Sequence, residues 1–172
     1  MAKSDAFFIR AQVAVDTAFA QVEIDLGSFV NLGVSKSTLL RIHNVAVQYA
    51  DQNGPENPIY TDSVAAARSW QLTTQTQTAL IFADDKSVVA SGQLTLYGDP
   101  TSTAHAVSMS ESSDINPMDW TKGYLVGTDS MFLAADGSIT VDSGAIYISI
   151  VMECTLENAT QANSVALALS QQ

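Results

Sequence analysis

The feature that most restricts the fold is the alternation of apolar and polar side chains at every second residue. In residues 21–26 (QVEIDL), Val22, Ile24 and Leu26 interleave with Gln21, Glu23 and Asp25. A period of two is the spacing of one strand face, so this segment buries one side and wets the other. Residues 7–16 (FFIRAQVAVD) place Phe7, Ile9, Ala11, Val13 and Val15 on one face. Residues 145–153 (AIYISIVME) set Ile146, Ile148, Ile150 and Met152 against Tyr147, Ser149, Val151 and Glu153. Further short runs rich in Val, Thr, Leu and aromatics read as strands: 70–82, 87–98, 123–127 and 131–134. Gly92 inside the segment 87–98 marks a bulge or a close backbone approach.

Turn chemistry separates the runs. DQNGPENP (51–58), ADD (83–85), YGDPTS (97–102), SESSDINP (110–117), ADGS (135–138) and DSG (142–144) supply the Pro, Gly, Asn and Asp that tight reversals need. About eight short strands in one domain predict an all-β antiparallel sandwich or barrel with at most one short helix. The best helical stretch is TDSVAAARSW (61–70), while the tail NATQANSVALALSQQ (158–172) fits helix or strand. At 172 residues and 47% hydrophobic content, one domain can bury about 70% of its unfolded surface.

Eighteen acidic against seven basic residues give a formal charge of −11, which repels nucleic-acid phosphate, so no direct nucleic-acid partner is expected. MAKSDAFFIRAQVAVD lacks the apolar core and small-residue cleavage site of a secretory signal, and production in a cytoplasm is expected. One cysteine, Cys154, allows no internal disulfide or thiolate metal cluster.

The chemical candidates are few. In STLLRIHNVAVQY (37–49), Arg41 and His43 share a strand face with Leu39, Val45, Val47 and Tyr49, and the apolar side changes over near Asn44. That change predicts a bulge at 43–44, or a strand whose halves meet different neighbours, as at a subunit interface. His43 as base or metal ligand finds no third ligand, since His105 is the only other histidine. The loop TSTAHAVSMSESSDINP (101–117) holds Ser, His and Asp without a nucleophile elbow. Asp129, Asp136 and Asp142 are the candidates for calcium, outside any EF-hand spacing. Trp70 and Trp120 could stack on sugar rings if exposed. No catalytic residue, cofactor-binding motif or cofactor is assigned.

The strand 7–16 after a short N-terminus, QVEIDL, LLRIHNVAVQYAD before a long loop, and AIYISIVMEC before a tail together resemble the layout of a known family. That family is the small single-jelly-roll capsid proteins of tailless icosahedral viruses, notably membrane-containing viruses of archaea and thermophilic bacteria. The resemblance implies one jelly-roll domain over 1–172, with an N-terminal segment 1–5 and a tail 156–172. It implies a self-assembling, non-enzymatic shell subunit, made in the host cytoplasm and residing in the virion, a homo-oligomer with other capsid proteins and a membrane beneath. Phe8, Arg41, His43, Tyr49, Tyr147 and Val151 are the expected interface residues. MAKSDA departs from the basic N-terminal arm of capsid proteins that touch genomes. The alternative is a carbohydrate- or ligand-binding jelly roll, tail-fibre or lectin-like and calcium-dependent at the aspartates. A cupin-like enzyme would need more converging histidines than the two present.

Overall fold

The computed structural model describes residues 5–33, 37–60, 62, 64–98, 107–141 and 144–171. In chain order these form β1 (Phe7–Val15), β2 (Ala20–Asp25), β3 (Ser37–Asp51), β4 (Ala66–Thr73), β5 (Val88–Gly98), β6 (Val107–Ile115), a 3-10 turn (Pro117–Asp119), β7 (Tyr124–Val126), β8 (Ser130–Gly137), β9 (Ile146–Ala159) and α1 (Gln161–Ser170).

The strands make two sheets, ordered β1-β9-β3-β7 and β2-β8-β4-β5-β6, with every pairing antiparallel. Each strand of the first half pairs with its mirror in the second: β1 with β9, β2 with β8, β3 with β7, and β4 with β5. A long antiparallel hairpin rolled so that its two sheets face each other is a jelly roll, and that is the fold of this chain. β6 is an added fifth strand on the second sheet.

Burial follows the predicted alternation. Along β9, Ile146, Ile148, Ile150, Met152 and Cys154 all have no exposed surface, and the residues between them are part-exposed up to Glu153. Facing them across the sandwich are Leu72, Leu94, Met131 and Leu133, also with none. Each such aliphatic side chain contributes about 1.5–3 kcal/mol against the entropy of ordering the chain. Trp70 crosses this core, and its indole lies over Gly92, where a β-carbon would collide with the ring and with the Ser112 carbonyl. The close approach read at Gly92 is therefore real, and the β5–β6 register also shifts there.

Two sequence expectations need correction. Residues 66–70 of the helical candidate are strand, not helix: Ala66, Arg68 and Trp70 face inward at period two, which overrides the helix propensity of three successive alanines. Residues 107–115 of the hydroxyl-rich loop are strand β6, an edge strand whose polar composition carries no burial signal. In the tail, which fitted helix or strand, β9 runs to Ala159, Thr160 caps α1 by accepting from Asn163 N at its hydroxyl, and α1 follows. None of the described helices is long and apolar enough to cross a membrane.

Side-chain amides cover part of the β7 edge and one residue of the β3 edge beside it. Gln171 accepts from Gly127 N at 2.9 Å and donates to Leu125 O at 2.6 Å, which reproduces a strand partner for β7. Asn116 does the same for β3: Oδ1 accepts from Val45 N at 3.3 Å and Nδ2 donates to Val45 O at 3.1 Å. An edge so occupied is a poorer template for unwanted strand pairing.

Candidate functional site

The segment around Arg41 and His43 is where the sequence pattern broke, and the structure shows the cause. β3 pairs with β9 in register from Ser37 to Ile42 and again from Asn44 onward, with the shift between Ile42 and Asn44. His43 is the extra residue of a β-bulge. Before it, Leu40 and Ile42 face the core; after it, Val45 and Tyr49 do. Gly123 braces this point at φ +64, its α-carbon set against the Ile42 carbonyl, where a β-carbon would collide.

Arg41 and His43 lie on the outer face. The Arg41 guanidinium grips Glu157 with two bonds, Nε to Oε1 at 2.6 Å and Nη2 to Oε2 at 2.8 Å, and Nη1 donates to Lys122 O at 2.6 Å. Its bond to Glu157 raises its pKa, against the opposing pull of burial. The imidazole Nε2 of His43 sits 2.8 Å from Thr155 Oγ1. These contacts tie β3 to β9 and to the turn before β7. The Arg41–Glu157 part is a planar, charge-assisted clamp between neighbouring strands.

Of the expected interface residues, Phe8, Arg41, His43, Tyr147 and Val151 share the outer face of the β1-β9-β3 sheet, in rows such as Phe8–Glu153–Asn44 and Ala14–Tyr147–Ala50. Phe8 is 55% exposed and the Arg10 guanidinium lies 5.8 Å from its ring centre. Tyr49 is a correction: the bulge turns it to the inside, where its hydroxyl accepts from Trp70 Nε1 at 2.9 Å. Burial pushes its pKa up to about 12, with the Trp70 bond opposing and Glu111 and Asp114 adding to the rise.

The remaining candidates do not come together. Asp129 and Asp136 flank and end β8, seven residues and thus about 23 Å apart, too far to share one ion. Asp142 lies outside the described residues, as does His105. Among the described residues no group of three or more His, Cys, Asp or Glu could hold a metal. Trp70 is enclosed by the core, whereas Trp120 is 48% exposed beside Tyr124, ring centres 6.0 Å apart. Cys154 is buried, and burial pushes its thiol up to about 12, with Glu153 adding to the effect.

Sequence reasoning missed one surface. On α1 the buried residues are Ser164 and Ala168, and Ala162, Val165, Ala166 and Leu169 face outward at i, i+3, i+4 and i+7. Ser164 bonds Ser37 across β3 at 2.8 Å, and Gly127 leaves room for Leu167 against the edge of β7. The helix thus docks through its small side and presents its apolar stripe to solvent. A helical wheel of the tail would have displayed that stripe, but not which side was buried.

Tyr49 and Cys154 together set an alkaline limit. Their ordinary values are 10 and 9, and both stand near 12 in the folded chain. The unfolded chain therefore loses these protons first. Stability is intact below about pH 9 and falls as pH rises toward 12, by up to about 1.4 kcal/mol per pH unit for each group. Urea midpoints measured from pH 8 to 11.5 check this: Cys154→Ala removes the part of the slope that starts at the lower pH, and Tyr49→Phe the part that starts higher.

No family model matches the chain, and no curated relative matches it. Solved structures to which it is similar include the VP1 protein of Trichodysplasia spinulosa-associated polyomavirus in complex with sialylated precision glycooligomers. That match is 8% identical and covers 88% of this chain and 95% of the other, with a TM-score of 0.40. The same virus's VP1 with GM1 oligosaccharide is 10% identical, covers 89% and 94%, and scores 0.36. Merkel cell polyomavirus VP1 with GD1a oligosaccharide is 8% identical, covers 82% and 77%, and scores 0.32. At these scores the likeness says nothing of what this chain binds; the jelly-roll assignment stands on the chain's own strand order.

Proposed function

We propose that the chain is a structural, self-assembling capsid protein, part of an icosahedral shell held by lateral subunit contacts. The observation that carries the reading is α1. A helix without a single charged residue turns Val165 and Leu169, 43% and 64% exposed, into solvent on a chain whose net charge is −11. Copies so charged repel one another, and an uncharged apolar stripe is where they can meet at least electrostatic cost. Phe8, Tyr147 and Val151, with the Arg41–His43 clamp, supply a second contact face on the β1-β9-β3 sheet. Contacts of this kind bury about 2,000 Å² or more when obligate, and many weak ones make a stable shell. In the virion, other shell proteins and an underlying membrane would be its neighbours.

The test is light scattering with negative-stain electron microscopy across salt and calcium concentrations. Rings, sheets or closed particles are expected from the parent chain. Val165→Lys with Leu169→Lys is expected to leave the unfolding transition within about 0.5 kcal/mol, since both side chains are exposed, and to abolish particles. Particles from the double variant would remove α1 from the interface, and a monomer under every condition would overturn self-assembly.

A second reading, glycan binding, draws on one observation: Trp120 and Tyr124 form a half-exposed aromatic pair next to the short strand β7. A glycan array, with Trp120→Ala as control and calcium present or chelated, checks it.

A further inference from the structure

We infer that the free edge of β3 at Val47 and Tyr49 is a docking rail for an extended, lysine- or arginine-bearing segment of a basic partner protein. β3 is fifteen residues long, yet β7 pairs only with Leu40–Ile42. Asn116 then serves the next slot at Val45, using both backbone groups of that residue on the side away from β9. Because backbone groups alternate sides along an antiparallel strand, those of Val47 and Tyr49 point the same way as those of Val45. Among the described residues they meet no partner; the next bond on this side is Asp51 N to Glu56 O at 2.8 Å.

The edge opens on a cleft of about 280 Å³ between the sheets, floored by Trp70 and Tyr49 and walled by Glu111 and Ser113 of β6. Sheet order explains the cleft: β6 is the fifth strand of its sheet, and the facing sheet has only four, the last of them three residues long. A segment laid along Val47 and Tyr49 would extend that sheet over β6. Its inward side chains, two residues apart, would meet Trp70 and Glu111, so one is apolar and the other cationic. Charge selects the source. Of the chain's seven basic residues, Arg41 is clamped by Glu157 and Arg68 is buried, and eighteen acidic residues oppose a second copy. A basic partner is drawn in by the same field. The pairing needs no particle and is independent of the assembly reading.

The probe is the peptide acetyl-Thr-Val-Thr-Lys-Thr-amide, about 16 Å long when extended, added to the dispersed chain carrying Trp120→Phe so that Trp70 alone fluoresces. Saturable change at about millimolar peptide is expected, and weaker binding when Glu replaces Lys or when the backbone nitrogen of the Lys residue, which faces β3 in an antiparallel pairing, is methylated. Val47→Pro removes the outward N–H and leaves the β9 ladder intact; it is expected to weaken binding at least about tenfold. Glu111→Gln, on an exposed side chain that no fold contact needs, is expected to weaken the lysine peptide about two- to fivefold and to erase its preference over the glutamate peptide. No saturable signal at millimolar peptide, or equal binding by a folded Val47→Pro chain, overturns the inference. If Val47→Pro fails to fold, unchanged selectivity in Glu111→Gln overturns it instead.

Discussion

Trp70→Ala is expected to cost about 3–5 kcal/mol, the largest loss from any single truncation in this chain. Trp70 is 1% exposed, spans the sandwich from the inner face of β4, and covers Gly92 where a neighbour with a β-carbon could not let it lie. Its removal leaves a cavity between rigid sheets that cannot close over it. It also strips Tyr49 of its bonded donor at 2.9 Å. Trp70→Phe separates the two contributions: it keeps most of the buried surface and loses the indole N–H, at about 1 kcal/mol beyond the change in area. Denaturant unfolding of both variants checks this, and a loss from Trp70→Phe equal to that from Trp70→Ala would mean that packing contributes little there.

The second large effect is asymmetric. Arg68 has no exposed surface, and its Nε has no hydrogen-bond partner among the described residues. Its Nη2 reaches Asp16 Oδ1 only at 3.5 Å, while Nη1 donates to Ala67 O at 3.0 Å. Desolvation lowers its pKa, with Asp16, Tyr60 and Asp136 pulling the other way. Gly137 admits the guanidinium, since a β-carbon there would strike both it and the Asp16 carbonyl. Asp16 itself keeps a side chain 45% exposed. Removing the cation therefore leaves a hydrated carboxylate, whereas removing the anion leaves a buried cation with its nearest counter-charge gone. Asp16→Asn is expected to cost about 3 kcal/mol, and Arg68→Met to be neutral or stabilising. Unfolding curves at moderate salt decide, and a greater loss from Arg68→Met would mean that the pair is net favourable despite its burial.

How far the fold could be read from the sequence follows from where burial and periodicity agree. β1, β2 and β9 each bury one face against the opposite sheet, so their alternation was plain, and the change of side near Asn44 placed the bulge. Arg68 hid β4, because an inward arginine beside alanines breaks the apolar stripe that would have marked a strand. β6 sits at an edge with little core to face, so its serines read as loop. The site was legible only in part. Arg41 and His43 were visible as anomalies, but their partners Glu157 and Thr155 stand more than a hundred positions away, and no local pattern names them. The free edge at Val47 was hidden for a related reason: it exists because β7 is short, a property of another segment.

The bulge at position 43 also holds one residue of β3 out of register with β9. Exchanging His43 for another residue disturbs one hydrogen bond and leaves the count of residues unchanged. Losing the codon would join Ile42 to Asn44 in the places they already hold opposite Cys154 and Glu153, so the bulge would vanish while Val45, Val47 and Tyr49 kept facing inward. Position 43 is thus a place in β3 where the chain can shorten by one residue and keep its inward set, whereas a deletion beyond Val45 would turn the residues after it over.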